Sequence, residues 1–251
     1  MNGYCELITG TLGGGKTLFS VERAYAHIRA GGHVYANIPF NPEQWARTLA
    51  DRDGLKFKPE RLVTLSAEQT LEFHRHIPRG THSHQVMVII DEAGLEFNSR
   101  DWAKTSKELL AINTLARKLD LILLYVSQQS ADVDKQFRGK CRCEWQCRNL
   151  FHRRVMGIPM KIPLLFRVCY DTTKGKREHL CYDAVPVPKW VFPLYDSDAL
   201  VGRGFAAVSG LQTVEGSALE AIERPPVSGI RNPHIPLAAF LCASSFGFFC
   251  F

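Results

Sequence analysis

The run Gly10-Thr11-Leu12-Gly13-Gly14-Gly15-Lys16-Thr17 constrains this chain more than any other stretch. It matches G-x-x-x-x-G-K-[ST] at every position, a pattern that works only where a strand turns tightly into a helix. Glycines let the backbone wrap an anion so that successive N–H groups point inward. A helix starting at Lys16 adds the positive end of its dipole. The flanks supply that setting. Leu7-Ile8-Thr9 is a short apolar run suited to a buried parallel strand. After the loop, Leu18, Val21, Tyr25 and Ile28 recur at helical spacing until Gly31-Gly32. Gly10 through Thr17 are therefore expected to cradle the phosphates of ATP or a close relative. Lys16 would reach the β- and γ-phosphates, and the Thr17 hydroxyl would bind Mg²⁺.

Such a loop needs a second half, an acid at the end of a neighbouring buried strand. Val86-Met87-Val88-Ile89-Ile90 is the strongest strand pattern in the chain and closes on Asp91-Glu92. Asp91 is expected to hold Mg²⁺, directly or through water, and Glu92 to polarise the attacking water. Leu121 to Val126 reads as a further buried strand ending on Ser127-Gln128-Gln129. Gln128 is then either a sensor of the γ-phosphate or the water, or an ordinary polar residue at a strand tip. Lys16, Glu92 and Gln128 make up the expected catalytic set. Arg117 and Arg138 are the candidates for a group that completes a neighbouring subunit's site, against the reading of plain surface charge.

The rest of the chain repeats the alternation of strand and helix. Val34 to Ile38 reads as a strand stopped by Pro39, and Leu62 to Leu65 as another. Ser66 and Gln69 fit a capping box, and a helix is expected over Lys107 to Lys118 with Leu109, Ile112, Leu115 and Ala116 inward. Residues 41 to 61 are polar and broken by Pro and Gly, so they read as a loop. After residue 140 the texture changes to short alternating runs, Arg142 to Trp145 and Leu165 to Tyr170, read as β-hairpins around Thr173-Lys174-Gly175-Lys176. The fold class is α/β: a P-loop NTPase with a parallel sheet flanked by helices, β-hairpin additions and a C-terminal apolar tail.

Apolar residues make up 45% of the chain and charged ones 22%, enough for a full core and unlike a disordered protein. A net charge of +6 is compatible with nucleic acid, an anionic membrane face or an acidic partner, and equally with no polyanion at all. Eight irregularly spaced cysteines predict free thiols rather than a disulfide frame. Cys141, Cys143, Cys147 and His152 match no usual zinc spacing, and the His74, His76, His82 and His84 cluster reads as a solvated loop. The basic stretch Arg138 to Arg154, interleaved with Trp145 and Phe151, suits either a nucleic-acid surface or a solvated hairpin face.

Domain organisation follows composition. Residues 1–195 form the P-loop domain, 196–234 are a Gly-, Ser- and Pro-rich flexible linker, and 235–251 an apolar tail without formal charge. As a helix the tail would span about 26 Å at 1.5 Å per residue, slightly short of a bilayer core of about 30 Å. It is expected to insert in a membrane, with Arg231 on the cytoplasmic side. The start, MNGYCELITG, has no secretory signal pattern.

With these residues in view, the chain resembles the zonula occludens toxin family, whose relatives include the gene I assembly proteins of filamentous phages. ITGTLGGGKT, HVYANIP, VMVIIDEAG, ARKLDLILLYVSQQ and VPKWVFPLYDS carry the resemblance, in that order, over most of residues 1 to 195. It implies an inner-membrane ATPase with a cytoplasmic P-loop domain and one membrane crossing, acting in assembly and export of filamentous virions. The implied partners are further copies of the chain, phage export and assembly proteins, the phage DNA–protein complex, and the membrane through the tail. Family members usually continue beyond the membrane segment, whereas this sequence closes inside its apolar run, which leaves a periplasmic role open. Rival readings share the loop: a phosphotransferase with a small acceptor, a DNA-pumping ATPase of conjugation or packaging, and a nucleotide-gated adapter without turnover. The adjacent acids and the polar strand tip favour water over a small acceptor.

Overall fold

Apolar runs at the expected strand positions pair into one eight-stranded sheet. A computed structural model describes residues 3–81, 84–97, 107–152, 154–155, 158–159, 162–173 and 177–196. The proposed linker, except Asp196, and the apolar tail lie outside them. In chain order the elements are β1 (Tyr4–Thr9), α1 (Lys16–Arg29), β2 (His33–Ala36), α2 (Pro42–Asp53), β3 (Leu62–Thr64), α3 (Ala67–Leu71), β4 (Val86–Ile90) and α4 (Ala93–Glu96). There follow α5 (Lys107–Leu115), β5 (Leu121–Ser127), α6 (Lys135–Arg138), β6 (Cys143–Asn149), β7 (Arg154–Val155), β8 (Ile158–Pro159), β9 (Leu164–Asp171) and β10 (Glu178–Pro186). A 3₁₀ segment, Lys189–Leu194, closes the described chain.

The strand order is β10-β9-β6-β1-β5-β4-β2-β3, with β7 and β8 paired as a separate ribbon. From β6 to β3 every pairing is parallel, while β9 and β10 run antiparallel at one edge. One strand, β5, therefore separates β1, which leads into the glycine loop, from β4, which leads into the acids. Parallel strands need both faces covered. On one face Ile8, Leu124 and Val126 pack under α1 and against Trp45 of α2. On the other, Leu7, Val88 and Tyr125 pack with Phe73, Phe97 and Phe137, and the last two rings stack at 4.9 Å.

Three expectations change. Residues 41 to 61 are not all loop, because α2 lies within them. Its Pro and Gly sit at its ends, where they favour a helix: Asn41 accepts from the Gln44 amide, Pro42 follows at the first turn, and Gly54 ends it at φ 66°. Only Trp45 and Leu49, one turn apart, are buried along it, too few to announce the helix by periodicity. The run at Arg142 to Trp145 leads into β6, which pairs antiparallel with β9 as a hairpin arm would, and which also lies beside β1 as a sixth parallel strand. Val133, Phe137 and Cys141, buried under the sheet, carry the crossover that returns the chain there. The helix expected to reach Lys118 stops at Leu115, and Leu115 is exposed rather than inward. The Ser66–Gln69 capping box is present with both hydrogen bonds, at 3.1 and 3.0 Å.

Of the other suspected constellations, His82 lies outside the described residues. Cys141 and Cys147 are buried on opposite faces of the sheet, and among the described residues no group of His, Cys, Asp or Glu is placed to share a metal. The six described cysteines are free. Trp145 packs edge-on against Phe19 of α1, and Arg142 lies over the Tyr4 ring at 3.5 Å, so the aromatic and basic residues at this point serve the core.

Glu6 is the buried charge that fastens three elements. Its carboxylate pairs with Arg23 of α1 and, at 2.6 Å, with Arg142 just before β6. Burial alone would push the carboxyl up, but the two guanidiniums override it and hold it below its ordinary value. A depressed carboxylate contributes stability that is complete above the unfolded-state pKa and lost as pH falls through the folded one. Glu6→Gln should therefore cost about 3 kcal/mol at neutral pH, since it leaves the largely buried Arg23 guanidinium without its counter-charge. Urea melts should show the deficit shrinking as the solution is acidified toward the depressed value; a constant deficit would contradict the ion-pair account.

Candidate nucleotide site

The glycine loop begins where β1 ends. Gly10 donates its N–H to the Gln128 carbonyl at 3.2 Å, tying the loop to the tip of β5. It also passes so close to β6 that a Cβ at Gly10 would lie 2.4 Å from the Cys147 carbonyl oxygen. The Gly14 amide closes the turn on the Thr11 carbonyl at 2.9 Å. Gly15 then enters α1 at φ 90°, a left-handed position that admits glycine readily, and a Cβ there would meet Leu165 at 2.5 Å. No side chain caps α1. Its first amides are thus left for an external anion. Lys16 is buried and bends back over the loop, donating to the Thr11 carbonyl at 3.3 Å. Leu12, by contrast, is 83% exposed at the loop's outer side.

The acids arrive from β4. Strand alternation places Asp91 on the α1 side, where the Thr17 hydroxyl donates to its carboxylate at 2.7 Å. Burial pushes the Asp91 carboxyl up; the Thr17 hydroxyl, the Glu92 amide and the Lys16 charge oppose this without cancelling it. Its donors within hydrogen-bond reach are neutral, so the site holds negative charge short of compensation. A hard divalent cation with oxygen ligands fits there. Asn37, just beyond β2, clamps the backbone of Asp91: its Nδ2 donates to the Asp91 carbonyl at 2.9 Å, and the Asp91 amide donates to its Oδ1 at 2.7 Å.

Glu92 follows at φ 51° and ψ 41°, a left-handed conformation rare outside glycine. Strain of this kind costs about 1–3 kcal/mol and persists only where neighbours impose it. Here the Asn37 clamp and the hydrogen bond from the Glu92 amide to Asp91, at 2.9 Å, hold it. Burial and the Asp91 charge push the half-buried Glu92 carboxyl up, while Lys16 opposes them. A carboxyl raised in this way is suited to taking a proton.

The geometry thus brings Thr17 and Asp91 into contact and sets Lys16 close enough to act on Asp91 and Glu92. Gln128 stands exposed at the β5 tip beside Gly10. Arg138 is fastened to the turn after β5 through the Ser130 carbonyl at 2.8 Å. Arg117 lies before β5, at the opposite end of the strands from the loop. Sequence reasoning missed Asn37, although an Asn closing a strand opposite an acidic strand end was the available signal. It also missed Glu144 of β6, which accepts from Thr9 at 2.6 Å and pairs with Arg177 at 2.7 Å. Tyr195 was missed as well. Burial, with the Asp91 charge added, pushes its hydroxyl up to about 12. Its segment docks beside β2, with Asp196 donating to Pro39 and Asn41 to Leu194, both at 2.9 Å.

Asn37→Ala should unclamp Asp91. Thermal melts should show a loss of about 1–3 kcal/mol, because two buried backbone groups lose their partners. Mg²⁺-ATP affinity by calorimetry should fall as well; a variant with wild-type stability and affinity would remove the clamp from the site.

Comparison with known proteins adds an independent line. Residues 5–201 match the family model described as Zonular occludens toxin (Zot). The gene 1 protein of Salmonella phage IKe is 31% identical over 137 residues, 53% of this chain and 36% of that protein. The gene 1 protein of Escherichia phage If1 is 30% identical over 138 residues, 53% of this chain and 37% of the relative. The matches therefore span little more than a third of these curated relatives' length. Among solved structures, a DnaB-like replicative helicase shares the fold with a TM-score of 0.50 at 12% identity, over 75% of this chain and 56% of that one.

Proposed function

Because the chain belongs to the zonular occludens toxin (Zot) family, we propose that its P-loop domain binds Mg²⁺-ATP and hydrolyses it to drive assembly and export of filamentous phage virions. The observation that carries this reading is the 2.7 Å hydrogen bond from Thr17 to Asp91, which joins the phosphate loop to an acid pair. The gene 1 proteins of phages among its relatives agree with it.

Each residue then has a role. The open amides of α1 and the loop hold the phosphates, and Lys16 swings from the Thr11 carbonyl to the β- and γ-phosphates. Thr17 and Asp91 hold Mg²⁺, which neutralises charge on the phosphate oxygens. Glu92 orients the attacking water and takes its proton. Gln128, hydrogen-bonded through its carbonyl to Gly10, reports the state of the γ-phosphate to the β5 tip. The domain works as a homo-oligomer, with Arg138 the better placed of the two candidate arginines to reach a neighbour's site, since it lies at the same end of the sheet as the loop.

Glu92→Gln should keep Mg²⁺-ATP binding and lose turnover by about 10²-fold or more. Lys16→Ala should lose binding itself. Phosphate-release assays with purified protein decide this: near wild-type turnover in Glu92→Gln eliminates its catalytic role, and unchanged ATP affinity in Lys16→Ala eliminates the phosphate site. In infected cells Glu92→Gln should act dominantly, blocking virion release and leaving DNA replication intact.

Through its tail this motor is held at the host inner membrane, with the P-loop domain in the cytoplasm. Among the described residues no helix is long and apolar enough to cross a membrane; the charge-free run 235–251 lies outside them. Full-length protein should sediment with membranes, resist salt and alkaline carbonate, and dissolve in detergent. A chain ending near residue 230 should be soluble and still bind nucleotide. If both forms stay soluble without detergent, the anchor is excluded.

A further inference from the structure

The antiparallel edge of the sheet carries aromatic residues that the nucleotide site does not use. Along β9 and β10 the two faces differ. One face packs on α1: Leu165 and Val185 join its core, and Arg167 is buried between Glu22 and Asp183 at 2.7 and 2.6 Å. The cross-strand register puts Phe166 and Tyr170 of β9 on the other face, level with Arg148 and Glu144 of β6. His179 lies opposite Tyr170, and Tyr182 is diagonal to Phe166.

These side chains form a continuous row. Phe166 and Tyr182 have ring centroids 6.0 Å apart, Tyr182 and His179 6.1 Å, and His179 and Tyr170 6.2 Å. The Arg177 guanidinium extends the row over Tyr170 at 4.6 Å. Tyr182 is 69% exposed, far more than a tyrosine placed for packing. Among the described residues the exposed charges on this face are basic. Arg148 is exposed, Arg177 half-exposed, and the acid among them, Glu144, is buried and already paired with Arg177.

We propose that this aromatic face of β9 and β10 binds single-stranded nucleic acid. Unpaired bases stack on the Phe166–Tyr182–His179–Tyr170 row while Arg148 and Arg177 meet the phosphates. The chemistry selects this occupant. Bases in a single strand offer free π-faces, which a duplex hides, and stacking on aromatics needs no particular sequence. Flanking arginines without an open carboxylate suit a polyanion. The sequence left Arg138 to Arg154 as either a nucleic-acid surface or a solvated hairpin face, but Trp145 packs on α1 and Arg142 is engaged with Glu6 and Tyr4, and the stackable rings lie one and two strands further out, on β9 and β10. The site stands on its own residues and requires neither nucleotide nor turnover.

Fluorescence anisotropy of the full-length chain with a labelled oligothymidylate of about 16 nucleotides tests this. Binding should weaken as salt rises and exceed that of a duplex of equal length by about tenfold. Tyr182→Ala should lose about tenfold in affinity, and Tyr182→Phe should retain it. ATP affinity unchanged in Tyr182→Ala shows that the fold is intact. Lys16→Ala should bind the oligonucleotide like wild type, so failure of the phosphate site and failure of this one are separable. The proposal is overturned by absent binding, by equal competition from duplex or from polyphosphate, or by full affinity in Tyr182→Ala. That last result would leave the β10 edge as a surface for a protein partner.

Discussion

The hydrogen bond between Thr17 and Asp91 forms only if two strands far apart in sequence end at the same height and at a set separation. β5 sets both. Leu7 and Ile90 are each level with Tyr125, so Asp91 stands level with Ile8 two strands away. Two ladder spacings of about 4.8 Å separate them. That gap lets the start of α1 lower its Thr17 hydroxyl onto the carboxylate. It also brings the tip of β5, with Gln128, between the two halves. The rest of the sheet exists to hold this arrangement level: apolar burial on both faces fixes the register, and α1 and the Phe97–Phe137–Tyr125 cluster clamp it from either side.

Two buried carboxylates show how the same fold separates support from chemistry. Glu6 and Asp91 both lie in the sheet's interior. Glu6 receives two guanidiniums, its charge is fully answered from within the chain, and its proton affinity drops. Asp91 receives a hydroxyl and an amide, with a lysine acting from further off, and its proton affinity rises. A carboxylate left in that state gains most when a cation arrives. The distinction rests on partners contributed by β6, α1 and the loop, and neither residue type nor position along a strand reveals it.

What could be read from the sequence was what is local. The glycine loop, the Val86–Ile90 strand with its two acids and the Ser66–Gln69 capping box each declare themselves within a few residues, and each is present in the fold. Helix α2 was hidden because its Pro and Gly are end signals that look like breakers when the helix between them buries only Trp45 and Leu49. β6 was hidden because short alternating runs do not say which neighbour they join; its parallel place beside β1 depends on a crossover through Phe137. Asn37 was hidden for the same reason: its partner lies 54 positions away. Gln128 meets Gly10 through its backbone carbonyl, a contact any residue at the strand tip could make, so only its position singled it out.

The docking of the last described segment has a mechanical side. Leu194 accepts from the Trp45 indole at 2.9 Å, Asp196 donates to Pro39, and Tyr195 sits within the field of Asp91. Everything that follows Asp196 is thus covalently hung from a point beside the acid strand end, at Pro39, just past Asn37. Tension on that tether would be delivered first to the loop after β2, and through Asn37 to the backbone of Asp91. A pull on the later residues would thus reach the acid strand end through a single peptide group.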